Sequence, residues 1–149
     1  MSAMEKTVYD LRVLFVEDNE QTRRAGSRMI QRHVQTLYTA ENGVQGLELY
    51  RREKPDLVIS DIEMPEMDGL EMFRQIRRQD PHLPLVICTA YNFQEYREQA
   101  REIDVDQYLL KPFGKENILQ VLEHTRGIID HFAALRNRYA QQGPAAIPA

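Results

Sequence analysis

One cysteine, Cys88, is all the thiol that this sequence of 149 residues contains. A lone thiol excludes an internal disulfide. Its place inside the apolar run Leu85-Val86-Ile87-Cys88 reads as a buried structural group rather than a reactive one. Positive charge is also short: 19 Lys and Arg face 23 Asp and Glu, for a formal net charge of -4. No basic stripe is on offer to neutralise phosphates, which argues against direct nucleic-acid binding by this chain. No apolar run approaches the roughly 18 residues of a membrane span, and the first residues lack the apolar core of a secretory signal. The expectation is a cytoplasmic chain with no membrane contact. Neither G-x-x-x-x-G-K nor G-x-G-x-x-G occurs, which sets nucleotide-binding modules aside. His33, His82, His124 and His131 form no metal-ligand grouping, and surface or seam positions are the simplest reading of them. What is present, 42% hydrophobic and 28% charged residues, is the composition of one soluble globular domain.

Short aliphatic or β-branched runs occur at Arg12 to Val16, Thr36 to Ala40, Asp56 to Ser60, Leu85 to Cys88 and Gln107 to Leu110. Each precedes a longer stretch with helical spacing, so the chain reads as five strand-helix units. Asp18 or Asn19 can cap the first helix. Asn42-Gly43, Asp68-Gly69, Asn92 and Gly114 open the others, and Lys54-Pro55 and Asp80-Pro81 are stops. Runs that are apolar throughout, rather than alternating, are buried on both faces, so the sheet is expected to be parallel with helices on each side. The fold class is α/β.

Ligands of such sheets sit outside the carboxyl ends of the strands. Those ends carry Glu17-Asp18, Asp61, Thr89-Ala90 and Lys111-Pro112, with the less distinctive Glu41-Asn42 on the second strand. Three carboxylates, a hydroxyl and an ammonium therefore converge on one edge. Any one of them alone reads more simply as structural: an acid as a helix cap, Thr89 as a turn residue, Lys111 as a solvated charge. Together they are hard to attribute to chance. Carboxylates held close repel one another unless a hard dication neutralises them, and magnesium suits an all-oxygen site that leaves positions for water or phosphate. With Asp61 as nucleophile the cluster would make an acyl phosphate, Lys111 and the Thr89 hydroxyl contacting the transferred oxygens.

These motifs, "VEDN" at Val16 to Asn19, "ISDIEMPEMDGL" around Asp61, "TAY" at Thr89 to Tyr91 and "YLLKPF" at Tyr108 to Phe113, resemble those of the receiver domains of bacterial two-component response regulators. The resemblance runs from Arg12 to about Thr125. It implies a doubly wound, flavodoxin-like sheet of order 2-1-3-4-5 and phosphoryl transfer from a partner kinase's phosphohistidine, or from a phosphotransfer protein, to Asp61. It also implies magnesium on Asp18, Asp61 and the backbone carbonyl of Glu63, with Glu17 acting through water, and a cis peptide at Lys111-Pro112. Thr89 and Tyr108 would form the switch that alters the surface of the fourth helix, fifth strand and fifth helix. Glu63 and Tyr91 stand where the family tunes phosphoryl lifetime. The protein would then be no conventional enzyme, though it would support its own phosphorylation and slow autodephosphorylation. It would control an attached or partner output; the alternative is a phosphotransfer relay or phosphate sink, which would not need Tyr108. An enzyme of the haloacid-dehalogenase type shares the aspartyl nucleophile but needs an aspartate two residues on, where Glu63 stands here.

The expected organisation is an extension over residues 1–10, a receiver over 11–125, a helical extension over 126–142 and a linker or tail over 143–149, either a stand-alone receiver or, as the added helix favours, a fragment of a larger regulator. Ile118, Val121, Thr125, Ile128, Phe132, Leu135 and Tyr139 are spaced 3, 4, 3, 4, 3 and 4 apart, the alternation of a coiled-coil seam. The first of these also have the receiver's sheet to cover. Past Gly127 no receiver surface is expected to remain, so Ile128, Phe132, Leu135 and Tyr139 would need a second chain, and a homodimer is expected.

Overall fold

A computed structural model describes residues 7–90 and 93–142. Five strands, β1 (Tyr9–Val16), β2 (Val34–Ala40), β3 (Leu57–Ser60), β4 (Leu85–Thr89) and β5 (Gln107–Leu110), alternate with α1 (Glu20–Gln31), α2 (Gly43–Glu53), α3 (Gly69–Gln79), α4 (Arg97–Ile103) and α5 (Lys115–Gln142). All pairings are parallel and the order is β2-β1-β3-β4-β5, as the resemblance implied. Asn92, expected to cap the fourth helix, lies outside the described residues, as do Tyr91 and residues 143–149. A 3-10 turn, Phe93–Tyr96, leads into α4.

β3 and β4 are buried at every position because each face of the sheet has its own helical layer. Leu14, Val16, Val58 and Ile87 pack with Leu47, Met72, Phe73 and Ile76 on one side. Val13, Phe15, Ile59, Val86 and Cys88 pack with Ile30, Ile118, Val121 and Leu122 on the other. Burial of such side chains stabilises by roughly 1.5–3 kcal/mol each. In register, Val16 stands beside Ala40 and Ser60, Ser60 beside Ile87, and Thr89 beside Leu110. β4 and β5 run two residues past the end of β3, and the residues that follow the strands share one edge.

The helix caps settle one question about the acids. Asn19 Oδ1 accepts from Thr22 N at 2.9 Å, so it is Asn19 and not Asp18 that caps α1. Asn42 and Asp68 cap α2 and α3 in the same way. At α5 the Gly114 amide donates to Asn117 Oδ1.

Two departures from the sequence reading concern the ends. β1 starts at Tyr9, inside the stretch read as an extension, because Tyr9 N donates to His33 O at 2.7 Å and the His33 ring meets Thr7 O at 2.9 Å. The larger correction is to α5. The receiver does offer surface beyond Gly127: Ile129 packs on the core, and the Phe132 ring stacks on His82 with centroids 4.4 Å apart. Thr125, read as a seam position, is fully buried in the chain's own core.

The Thr125 hydroxyl is buried without a hydrogen-bond partner. A buried, unsatisfied hydroxyl costs about 1 kcal/mol or more, whereas a methyl of the same shape costs nothing to desolvate. Thr125→Val is expected to raise the thermal midpoint by roughly 3 °C in calorimetry. A lowered midpoint would mean that the hydroxyl is satisfied in solution.

Candidate functional site

The carboxyl ends of the strands bring Glu17, Asp18, Asp61, Thr89 and Lys111 around one cleft of about 780 Å3. Asp61 follows β3 and is held by its own backbone: its amide donates to Val16 O at 3.1 Å, and its Oδ1 accepts from Ile62 N at 2.7 Å. Lys111 follows β5, its amide bonded to Thr89 O at 2.8 Å, and the Lys111-Pro112 peptide is cis. The Lys111 ammonium reaches across the sheet edge to Asp61 Oδ2 at 2.8 Å and Glu17 Oε1 at 2.5 Å.

Glu17 is 1% exposed, with its second oxygen accepting from Asn19 N. Burial pushes its carboxyl upward, and the Lys111 hydrogen bond opposes that. Burial alone would lower the Lys111 ammonium, but its bonds to Asp61 and Glu17 win and hold it above the ordinary range. The geometry is that of an ion pair shared by Lys111 with Glu17 and Asp61. Asp18 is exposed at the rim, and carboxylate oxygens of Glu17, Asp18 and Asp61 all lie within 4.8 Å of one another. One ammonium among three acids leaves an excess of negative charge with oxygen donors only. That donor set fits a hard dication such as magnesium.

Thr89 ends β4 and is buried, while Tyr108 on β5 is 39% exposed. The Glu63 side chain is exposed, two residues past Asp61. Burial pushes the Cys88 thiol up to about 12, in keeping with an inert structural group. Ile128, Phe132, Leu135 and Tyr139 are half-buried in the single chain and far along α5 from the cleft.

Two residues of this region were missed in the sequence. Arg23, one turn into α1, donates from Nη1 to Glu17 O at 2.9 Å and fixes the loop that carries the acids. Tyr96 donates from its hydroxyl to Glu63 Oε2 at 3.0 Å. Neither carries a local signal, since each contact depends on the path of a loop.

The profile of the response regulator receiver domain family matches residues 13–123. The chemotaxis protein CheY of Halobacterium salinarum is 33% identical over 110 residues, which are 74% of this chain and 92% of that protein. The response regulator MprA of Mycobacterium leprae is 34% identical over 109 residues, 73% of this chain but 48% of that regulator, so the chain spans about half the length of that relative. Among solved structures, the receiver domain of a sensor histidine kinase from Pseudomonas aeruginosa, described with a magnesium ion coordinated in its active site cleft, has 25% identity. It superposes with a TM-score of 0.72 over 80% of this chain and 99% of that one. Among the described residues no helix is long and apolar enough to cross a membrane. With its strand order, its acids at the strand ends and a family match covering most of its length, the chain belongs to the response regulator receiver domains of two-component signalling.

Proposed function

We propose that Asp61 accepts a phosphoryl group from the phosphohistidine of a partner histidine kinase or phosphotransfer protein in the cytoplasm. The observation that carries this reading is the Lys111 ammonium bridging Asp61 and Glu17 beside Asp18, because it is an acidic site with its own positive charge already aimed at the nucleophile. In the transfer an Asp61 carboxylate oxygen bonds to phosphorus as the P–N bond to the donor imidazole breaks, and the imidazole keeps the electron pair. Lys111 neutralises charge on the transferring oxygens, and Thr89 donates its hydroxyl to another. Magnesium would be held by Asp18, Asp61 and the Glu63 carbonyl, with Glu17 through water, and when bound supplies further neutralisation of the phosphoryl charge. Thr89 and Tyr108 form the switch. The Tyr108 ring stands partly in solvent and turns inward as Thr89 is drawn to the phosphoryl group, altering the surface of α4, β5 and α5 and so an attached or partner output. Glu63 and Tyr91 tune the phosphoryl lifetime. Incubation with acetyl phosphate and magnesium tests the reading: intact mass should show one added phosphoryl group, and a chelator should prevent it. No uptake would end it.

The output end is proposed to be a homodimer through α5. Ile128, Phe132, Leu135 and Tyr139 are only half-buried by their own chain, Phe132 stacking on His82, and their remaining apolar surface would form the seam. Two heptads are marginal alone, so association should strengthen when beryllofluoride mimics the phosphorylated state. Sedimentation of wild type against Leu135→Glu is the measurement. The substitution should weaken the dimer at least about tenfold, a difference of about 1.4 kcal/mol, without touching Ile129 or Phe132. A wild type that stays monomeric with and without the mimic would remove the seam.

A further inference from the structure

Across the mouth of the cleft, the Tyr96 hydroxyl donates to Glu63 Oε2 at 3.0 Å. Tyr96 ends the 3-10 turn before α4, while Glu63 lies in the loop between β3 and α3, two residues past Asp61. Both residues line the cleft. The tyrosine ring also packs on the core cluster beneath α4, so the hydroxyl is presented from an anchored base.

We propose that Tyr96 is a positioning residue that sets the lifetime of phosphorylated Asp61 by holding the Glu63 carboxylate across the cleft mouth. The inference rests on the phosphoryl-accepting reading of Asp61. Loss of the phosphoryl group requires water to attack phosphorus. The P–O bond to Asp61 breaks, the Asp61 carboxylate leaves with the electron pair, and the water's proton must go to a base or to solvent. Glu63 lines the same cleft as Asp61, so its carboxylate, when free to turn, is a base that could take that proton. Glu63 bonded to the Tyr96 phenol has one oxygen occupied and its direction fixed by a ring packed against the core. Tyr96 therefore restrains a base that the sequence itself supplies, and it joins the two loops that flank the acceptor.

The experiment loads the full chain with acetyl phosphate and magnesium, removes the donor, and follows loss of the phosphoryl group by intact mass. It compares wild type, Tyr96→Phe, Glu63→Gln and the double variant. Tyr96→Phe removes one oxygen from a partly exposed ring, and folding is checked by its melting curve. The expected result is loss about three- to tenfold faster in Tyr96→Phe, equivalent to about 0.7–1.4 kcal/mol. In the Glu63→Gln background Tyr96→Phe should change the rate by less than about twofold, since the restrained base is gone. Equal lifetimes for wild type and Tyr96→Phe would overturn the inference alone. So would an acceleration that persists in the Glu63→Gln background, which would point to general loosening of the loop. A wild type that takes up no phosphoryl group would overturn both this inference and the reading beneath it.

Discussion

Asp61→Asn should reduce phosphoryl uptake from acetyl phosphate to below about 1% of the wild-type rate, the loss expected when the only positioned nucleophile is replaced by a neutral amide. Glu17 does not substitute for it, because that carboxylate is 1% exposed and both its oxygens are engaged, by Lys111 and by the Asn19 amide. Asp18 is exposed but lacks the Lys111 ammonium beside it, which at Asp61 stands 2.8 Å from the attacking group. The fold should survive the change. Asn keeps the size of Asp, Lys111 retains Glu17 as its counter-ion, and one carboxylate fewer relieves repulsion among three acids whose oxygens lie within 4.8 Å. A melting curve within a few degrees of wild type should therefore accompany the lost uptake. Undiminished labelling of the variant would move the acceptor elsewhere.

The acids, Thr89 and Lys111 were legible in the sequence because a parallel sheet puts all its strand ends on one edge, and a run of apolar residues marks where each strand stops. Periodicity alone does not order the strands; the order 2-1-3-4-5 came with the motif resemblance. Contacts made by loops left no trace. Tyr96 meets Glu63 across 33 residues of sequence, and nothing around either residue indicates the partner. The seam on α5 shows a related limit. Spacing of 3 and 4 identifies the apolar face of a helix but not what covers it. Thr125 turned out to face the chain's own core, Ile129 packs there too, and the Phe132 ring stacks on the chain's own His82. The start of β1 was missed because Tyr9 and Asp10 are not an apolar run; backbone pairing with His33 extends the strand there.

Gly69 was read in the sequence as half of a turn that opens a helix, and its structural role is stricter than that. A Cβ built on it would stand 2.0 Å from the backbone oxygen of Asp61 and 3.1 Å from Ser60 Oγ. The demand is for space, not for an unusual backbone angle. Neither side can yield easily. The Asp61 carbonyl accepts from Ser60 Oγ at 2.8 Å, Gly69 N donates to Ile62 O at 2.8 Å, and Leu70, Met72 and Phe73 lock the first turns of α3 into the core. Gly69→Ala should therefore cost about 3–5 kcal/mol in urea unfolding, at the upper end for single substitutions. Gly127→Ala is the matched control. A methyl there would meet nothing within 4 Å, and removing a helical glycine should stabilise by about 1 kcal/mol. The site should suffer along with the fold, because the cheapest relief of the clash moves the Asp61 carbonyl and with it the carboxylate that Lys111 holds. Phosphoryl uptake by the Gly69→Ala protein that remains folded should then drop by at least about tenfold, the result of even a small misplacement of the attacking oxygen. Uptake at the wild-type rate by that folded fraction would mean that α3 shifts instead and that Asp61 is held by β3 alone.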